Sequence, residues 1–115
     1  MRLKSAIWVA AYIRRCHVEG ASAVVRRRGA EEAGAIFVKI ARLDGTAALY
    51  GPAPQSDFAE AHPSERRFVA SLKSVFATEA EVEARISREV GFDPDVWVVE
   101  VEDRDGRDFL ALTSR

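Results

Sequence analysis

The run over residues 96–101 constrains the fold of this chain more than any other segment. Its six residues, VWVVEV, are apolar on both alternating faces except at Glu100. A strand that is apolar on both sides is normally covered on both sides by other elements. We therefore predict a central strand here, with one helix above the sheet and one below it.

The start of the chain predicts a helix over residues 5–18. Ser5 can cap it, Gly20 can end it, and Trp8 and Tyr12 stand four residues apart, so their rings can stack. The apolar residues expected on one face are Leu3, Ala6, Ile7, Ala10 and Ile13. The helix is apolar nearly all round, so we expect it to contact more than the sheet.

Three strands are predicted after this helix, as an antiparallel meander. They span residues 23–28, 35–42 and 47–50. Asp44 and Gly45 suit a tight hairpin turn between the second and third. Lys39 interrupts the apolar second strand, and we expect it to mark the rim of the sheet.

A second helix is predicted from Thr78. Thr78 and Glu81 have the spacing of a capping box, in which each side chain bonds an amide that the first helical turn leaves unpaired. Val82, Ile86 and Val90 then form a stripe with helical period. This pattern is typical of a surface helix with one buried face.

Secondary structure is also predicted for the three remaining segments of the chain. Residues 51–65 form a proline-containing connection, and residues 66–72 favour a short strand over a helix. A turn at Asp105 and Gly106 is expected to return residues 109–112 along the central strand. That hairpin would place Asp103 opposite Asp108.

These elements predict the α+β class: a mostly antiparallel sheet of five to six strands with two main helices. The expected order is α-β-β-β-(β)-α-β-β, in three layers, with a two-layer sandwich as the alternative. A length of 115 residues predicts one domain, spanning residues 1–115.

The formal net charge of -1 conceals a marked separation along the chain. Residues 1–28 hold seven basic side chains and one acidic side chain, whereas residues 79–108 hold eleven acids and four arginines. Opposite patches of this kind steer association between proteins. The lack of overall basic excess argues against nucleic acid as the main partner.

The single Cys16 excludes a disulfide within the chain and favours the cytoplasm. The apolar run over residues 6–13 is far shorter than the roughly 20 residues that cross a bilayer, so we expect no membrane segment. Only Cys16, His17 and His62 could supply soft metal ligands, too few for a structural zinc site. We predict no metal, no cofactor and no assignable catalytic residue.

Three stretches together resemble one family. They are LKSAIWVAAYIRRC at residues 3–16, GAIFVKIARLDGTAALYGPAPQ at 34–55 and FDPDVWVVEVEDRDGRDFL at 92–110. They are similar to a domain-of-unknown-function family of short alphaproteobacterial proteins. The resemblance implies no activity, cofactor or catalytic residue.

The residues therefore favour a non-catalytic protein-interaction module that binds a partner protein or a second copy of itself. The candidate binding residues are Trp8, Tyr12, Arg14, Arg15, Arg26, Arg27 and Arg28. One alternative is an enzyme of unrecognised type, hydrolase or nuclease-like. The other is an anion-binding or nucleic-acid-binding face built from the two arginine runs, although no aromatic residue interleaves the second run.

Overall fold

The computed structural model describes residues 3–54 and 66–113, which form two helices and six strands. The helices are α1, Ser5–Val18, and α2, Glu79–Phe92. The strands are β1, Ser22–Arg27; β2, Ile36–Ala41; β3, Thr46–Pro52; β4, Phe68–Ala70; β5, Phe76–Thr78; and β6, Trp97–Glu102. The predicted α+β class is confirmed, and so is the short strand expected within residues 66–72.

The strands form one open sheet in the order β1-β6-β2-β3-β4, with β5 also paired to β3. Only the β2–β6 pair is parallel. The prediction of β6 as a central strand is confirmed. The predicted meander is wrong at β1, which pairs with β6 and not with β2. The cause is β6 itself, since a strand apolar on both faces is most stable when inserted between two others.

The two helices cover opposite faces of the sheet, which gives the predicted three layers. On one face α1 packs through Val9, Tyr12 and Cys16 in a cluster that also contains Trp97 and Val99. On the other face the α2 residues pack in a second cluster. Its buried members are Phe37, Ala47, Leu49, Val82, Ile86, Val96 and Val98.

The two helix starts differ from each other. Thr78 caps α2 as predicted, because its side chain accepts from the amide of Glu81. Lys4, and not Ser5, stands at the cap position of α1. The hydroxyl of Ser5 instead donates to the carbonyl of Gly34 at 2.6 Å and is completely buried. It therefore fixes the helix to the loop before β2.

The apolar face expected on α1 coincides only in part with the face that packs, since Ala6 and Ile13 are partly buried against the core while the fully buried stripe is a different one. The buried residues are Ser5, Val9, Tyr12 and Cys16, whereas Leu3 and Ile7 are 48% and 52% exposed. Hydrophobicity could not select the correct face because this helix carries apolar side chains on all sides.

The expectation that Lys39 marks the rim of the sheet is also wrong. Its strand, β2, lies between β6 and β3, and the residue is 4% exposed. A lysine is tolerated at such a position only when carboxylates surround its ammonium group.

The predicted hairpin after β6 does not form. The chain does turn at Gly106, which has a φ of 73°. Phe109 then adopts a φ of 57°, and Leu112 forms an isolated parallel bridge with Phe68. The segment therefore leaves β6 and runs past β4, so Asp103 and Asp108 do not face each other across a hairpin.

Two further predictions concern the connection over residues 51–65 and the absence of a membrane segment. Strand β3 extends through Pro52, while residues 55–65 of the expected connection, with His62, lie outside the described residues. Within the described ranges, neither helix has the length and apolarity needed to cross a bilayer.

Candidate functional site

A cleft beside α1 is the candidate site, and the C-terminal segment builds its outer wall. The phenol of Tyr12 donates to the carbonyl of Asp108 at 2.6 Å. Arg107 reaches the carbonyl of Glu19 at the end of α1, and the amide of Phe68 bonds the carbonyl of Ala111 at 2.8 Å. The first two bonds hold residues 107 and 108 beside α1, and the third holds Ala111 beside β4. A cleft of about 350 Å³ lies between α1 and this segment.

The cleft combines aromatic rings with two arginines. Trp8 stacks on Tyr12 with ring centroids 4.9 Å apart, as the sequence predicted, and its other neighbour is Phe68 at 5.2 Å. Arg15 and Arg66 stand among the lining residues. The complete lining is Leu3, Trp8, Ala11, Tyr12, Arg15, Arg66, Phe109, Leu110 and Ala111.

The two arginines are held differently. Arg66 donates to the carbonyl of Leu3 and to the hydroxyl of Ser5, at 2.9 and 3.2 Å, so the protein itself fixes its guanidinium. Arg15 is exposed, and none of the ion pairs within residues 3–54 and 66–113 includes it. Its guanidinium is therefore available to an anionic ligand.

The polar groups beneath the cleft are not poised for proton transfer. Burial raises the pKa of Tyr12 far above its usual range, with Cys16 adding to the effect. Burial also raises the pKa of the Cys16 thiol, which is completely buried as expected for a structural cysteine. These shifts disfavour the ionised form of both groups, which is the more nucleophilic form.

A cluster of charged residues lies on the opposite face of the sheet, under α2. The ammonium of Lys39 is 2.6 Å from a carboxylate oxygen of Glu79, 2.7 Å from Glu83 and 3.7 Å from Glu100. Arg26 binds Glu83 with both terminal nitrogens and approaches Glu100 at 3.2 Å. We call these five residues the ionic cluster.

Local geometry explains why the ionic cluster forms. Lys39 and Glu100 are register partners on β2 and β6, and Val24 of β1 is opposite Glu100. The register of β1 shifts between Val25 and Arg27, which is the mark of a β-bulge. Arg26 lies at this irregularity and reaches the α2 side of the sheet.

Lys39 and Glu83, at the centre of the ionic cluster, keep their charges at neutral pH. Burial alone would lower the pKa of Lys39, but hydrogen bonds to Glu79 and Glu83 raise it above its ordinary value. The guanidinium of Arg26 lowers the pKa of Glu83 to about 2. The ammonium of Lys39 lies where a cation would sit among three carboxylates. Within the described residues no group of acidic, histidine or cysteine side chains could hold a metal.

The second arginine run is engaged inside the fold. Arg26 belongs to the ionic cluster. Arg27 donates to the carbonyls of Pro94 and Val96 at 2.8 and 2.9 Å, and the guanidinium carbon of Arg28 lies 5.1 Å from the ring centre of Trp97.

The two arginine runs do not form one basic face. Arg26 belongs to the α2 side of the sheet, whereas Arg14 and Arg15 are exposed on α1, across the sheet. The structure thus brings together only three of the residues predicted for binding: Trp8, Tyr12 and Arg15.

Sequence reasoning missed two features. The ionic cluster had a usable signal, because Lys39 and Glu100 are opposite charges on two otherwise apolar strands. Arg66 and residues 109–111 gave no such signal, because their place at the cleft depends on a C-terminal segment that does not follow hairpin rules.

The fold is an open mixed sheet between two helices, with an arginine-bearing aromatic cleft on one side and an ionic cluster on the other. A profile of the family described as "Protein of unknown function (DUF1491)" matches residues 3–111. The chain belongs to this family, which confirms the resemblance drawn from the sequence. A search of curated proteins finds no match.

Solved structures agree with this assignment. The crystal structure of a DUF1491 family protein from Caulobacter crescentus CB15 is 40% identical with a TM-score of 0.78, over 98% of this chain and 99% of that one. The solution structure of a protein from A. tumefaciens is 44% identical with a TM-score of 0.80, over 100% of this chain and 98% of that one. Both similarities extend over essentially the whole fold.

Proposed function

We propose that this chain is a non-catalytic protein-interaction module that works in the cytoplasm and binds an acidic segment of a partner protein in the α1 cleft. The observation that carries the proposal is the exposed Arg15 beside stacked Trp8 and Tyr12. Tryptophan, tyrosine and arginine are the residue types that most often dominate binding energy at protein interfaces.

The shape and chemistry of the cleft favour a peptide segment with an apolar anchor and flanking carboxylates. The rings of Trp8 and Phe109 offer apolar contact area. Guanidinium groups bind carboxylates through paired hydrogen bonds, a geometry that a lysine does not offer. Arg66 is already oriented by its bonds to Leu3 and Ser5, so little side-chain freedom would be lost when it meets a ligand.

The titration behaviour of the other polar groups supports a role without catalysis. General acids and bases work best with pKa values near the working pH. The pKa shifts of Glu83 and Lys39 move both groups away from neutrality, as do those of Tyr12 and Cys16. The same is true of Asp103, whose pKa is lowered by its hydrogen bond from Arg107.

The test compares labelled peptides of equal length with a central Leu-Phe anchor, flanked by glutamates, glutamines or lysines. Fluorescence anisotropy should show binding of the glutamate peptide, weakening as salt rises, weaker binding of the glutamine peptide and none of the lysine peptide. Arg15→Ala should weaken the glutamate peptide about tenfold, which is about 1.4 kcal/mol.

The matched control is Arg88→Ala. Arg88 is an exposed arginine on α2, on the other side of the sheet, so its loss changes net charge equally without touching the cleft. Equal losses for both variants would mean that only overall charge matters, and the proposal would fail. Robust turnover of an ester, phosphate or nucleic-acid substrate that is lost with Asp103→Asn or Asp108→Asn would favour the enzyme alternative.

A further inference from the structure

The solvent-facing side of α1 carries apolar side chains, although a helix face in contact with water is normally polar. Residues three and four apart share one side of a helix. At 3.6 residues per turn, the side of α1 that faces solvent covers about 100° of arc. That arc is occupied by Ile7, Ala10, Ala11, Arg14 and Val18, whereas Leu3 precedes the cap residue Lys4 and lies outside the helix. We call this arc the outer face of α1. It lies opposite the buried stripe that includes Val9 and Cys16.

The apolar side chains on the outer face are well exposed. Ile7 is 52% exposed and Val18 78%. The spacing of 7, 11, 14 and 18 alternates four and three residues, which is the pattern of a helix that packs against another helix. The two alanines at its centre allow a close approach of helix axes.

We propose that the outer face is a homodimer interface, in which α1 of one copy packs antiparallel on α1 of a second copy about a two-fold axis between Ala10 and Ala11. A two-fold axis brings the same patch of both copies together. Residues whose numbers add to 21 then lie opposite one another, so Ile7 meets the aliphatic stem of Arg14 and Ala10 meets Ala11.

Charge complementarity identifies a second copy as the occupant. The carbonyls of Glu31 and Glu32 accept from the first amides of α1, at Ala6 and Ser5, so this acidic turn sits at the N-terminal end of the helix. Glu31 and Glu32 are both exposed. In the antiparallel arrangement this acidic end lies beside the basic C-terminal half of the second α1.

Arg14 is the residue that would form an ion pair with this acidic turn of the second copy. It is exposed at the centre of the outer face, and no ion pair within the described ranges includes it. Its partner across the axis would be Glu32, whose only ion pair in the described residues is with exposed Lys4 at 3.7 Å. Glu32 bonds the amide of Ser5, which is two residues from Ile7, the position opposite Arg14, so the offset along the helix axis is about 3 Å.

The test is sedimentation equilibrium of the full chain from micromolar to millimolar concentration. The apparent mass should rise from 12.7 kDa toward twice that value. Ile7→Arg should hold the protein monomeric throughout, with an unchanged circular dichroism spectrum, because Ile7 is 52% exposed and lies outside the buried stripe of α1. The matched control is Phe92→Arg, the same kind of change at an 83% exposed position on α2, and it should dimerise normally.

A charge exchange tests the register. Arg14→Glu and Glu32→Arg should each weaken dimerisation at least about fivefold, and the double variant should recover most of it. A monomer at every concentration, or a dimer that Ile7→Arg leaves intact, would overturn the proposal. So would a monomeric protein that binds phosphatidylglycerol vesicles through Ile7, because the outer face would then be a membrane contact.

Discussion

The two helices solve the same packing problem with different surfaces. Helix α2 buries Val82 and Ile86 and turns polar side chains such as Glu81 and Arg88 outward, and ion pairs join its first turns to the sheet. Helix α1 buries one stripe and still presents Ile7 and Val18 to solvent. This side of the molecule is the one on which we propose that recognition takes place.

Removing the ammonium at the centre of the ionic cluster should give the largest difference in stability between a change on the α2 side and a change on the α1 side. Lys39→Met should lower the free energy of unfolding by about 3 kcal/mol, because Glu79, Glu83 and Glu100 would lose their common counter-charge in a partly buried place. Urea unfolding measures this. Lys4→Met, which breaks an exposed pair beside α1, should change it by less than about 0.5 kcal/mol. Equal effects would contradict a structural role for the cluster.

The wall of the cleft should depend on one hydrogen bond. Tyr12→Phe removes the donor to Asp108 and should cost about 1 kcal/mol in the free energy of unfolding. Tyr50→Phe is the control, since Tyr50 is equally buried, at 5%, and no hydrogen bond of its phenol is found among the described residues. If both variants lost the same stability, the bond would not be what holds the C-terminal segment.

Acid should weaken the α2 side of the molecule through Glu83. Its pKa in the folded protein, about 2, lies below its ordinary value of 4.5. A depressed pKa contributes stability above pH 4.5 that is lost as the pH falls toward 2. Thermal unfolding from pH 5 to pH 2 should therefore show a smaller loss of stability in Glu83→Gln than in the native chain. Identical slopes would refute the assignment.

Local signals in the sequence were sufficient for several parts of the fold. The capping box at Thr78, the stripe on α2 and the apolar run of β6 each follow from neighbouring residues, and all three were predicted correctly. The stacking of Trp8 on Tyr12 was also predictable, because a helix fixes the geometry of residues four apart.

Features that depend on distant residues were not predictable in the same way. The place of β1 beside β6 requires a strand from the far end of the chain, and the burial of Lys39 requires glutamates on α2 and β6. The cleft requires the C-terminal segment to follow α1, which rests on the bond from Tyr12 and on the left-handed conformation of Phe109. Hydrophobic period and turn residues do not encode these contacts.

Chemical-shift mapping is the most direct test of the account that α1 recognises ligands while α2 supports the fold. Isotope-labelled protein would be titrated with the glutamate-flanked Leu-Phe peptide at concentrations where it is monomeric. The account predicts that the amides of Trp8, Ala11, Tyr12, Arg15 and residues 109–111 shift with the peptide, and that those of Lys39, Glu83 and the rest of α2 stay in place. Shifts centred on the ionic cluster, with the α1 cleft unchanged, would contradict it.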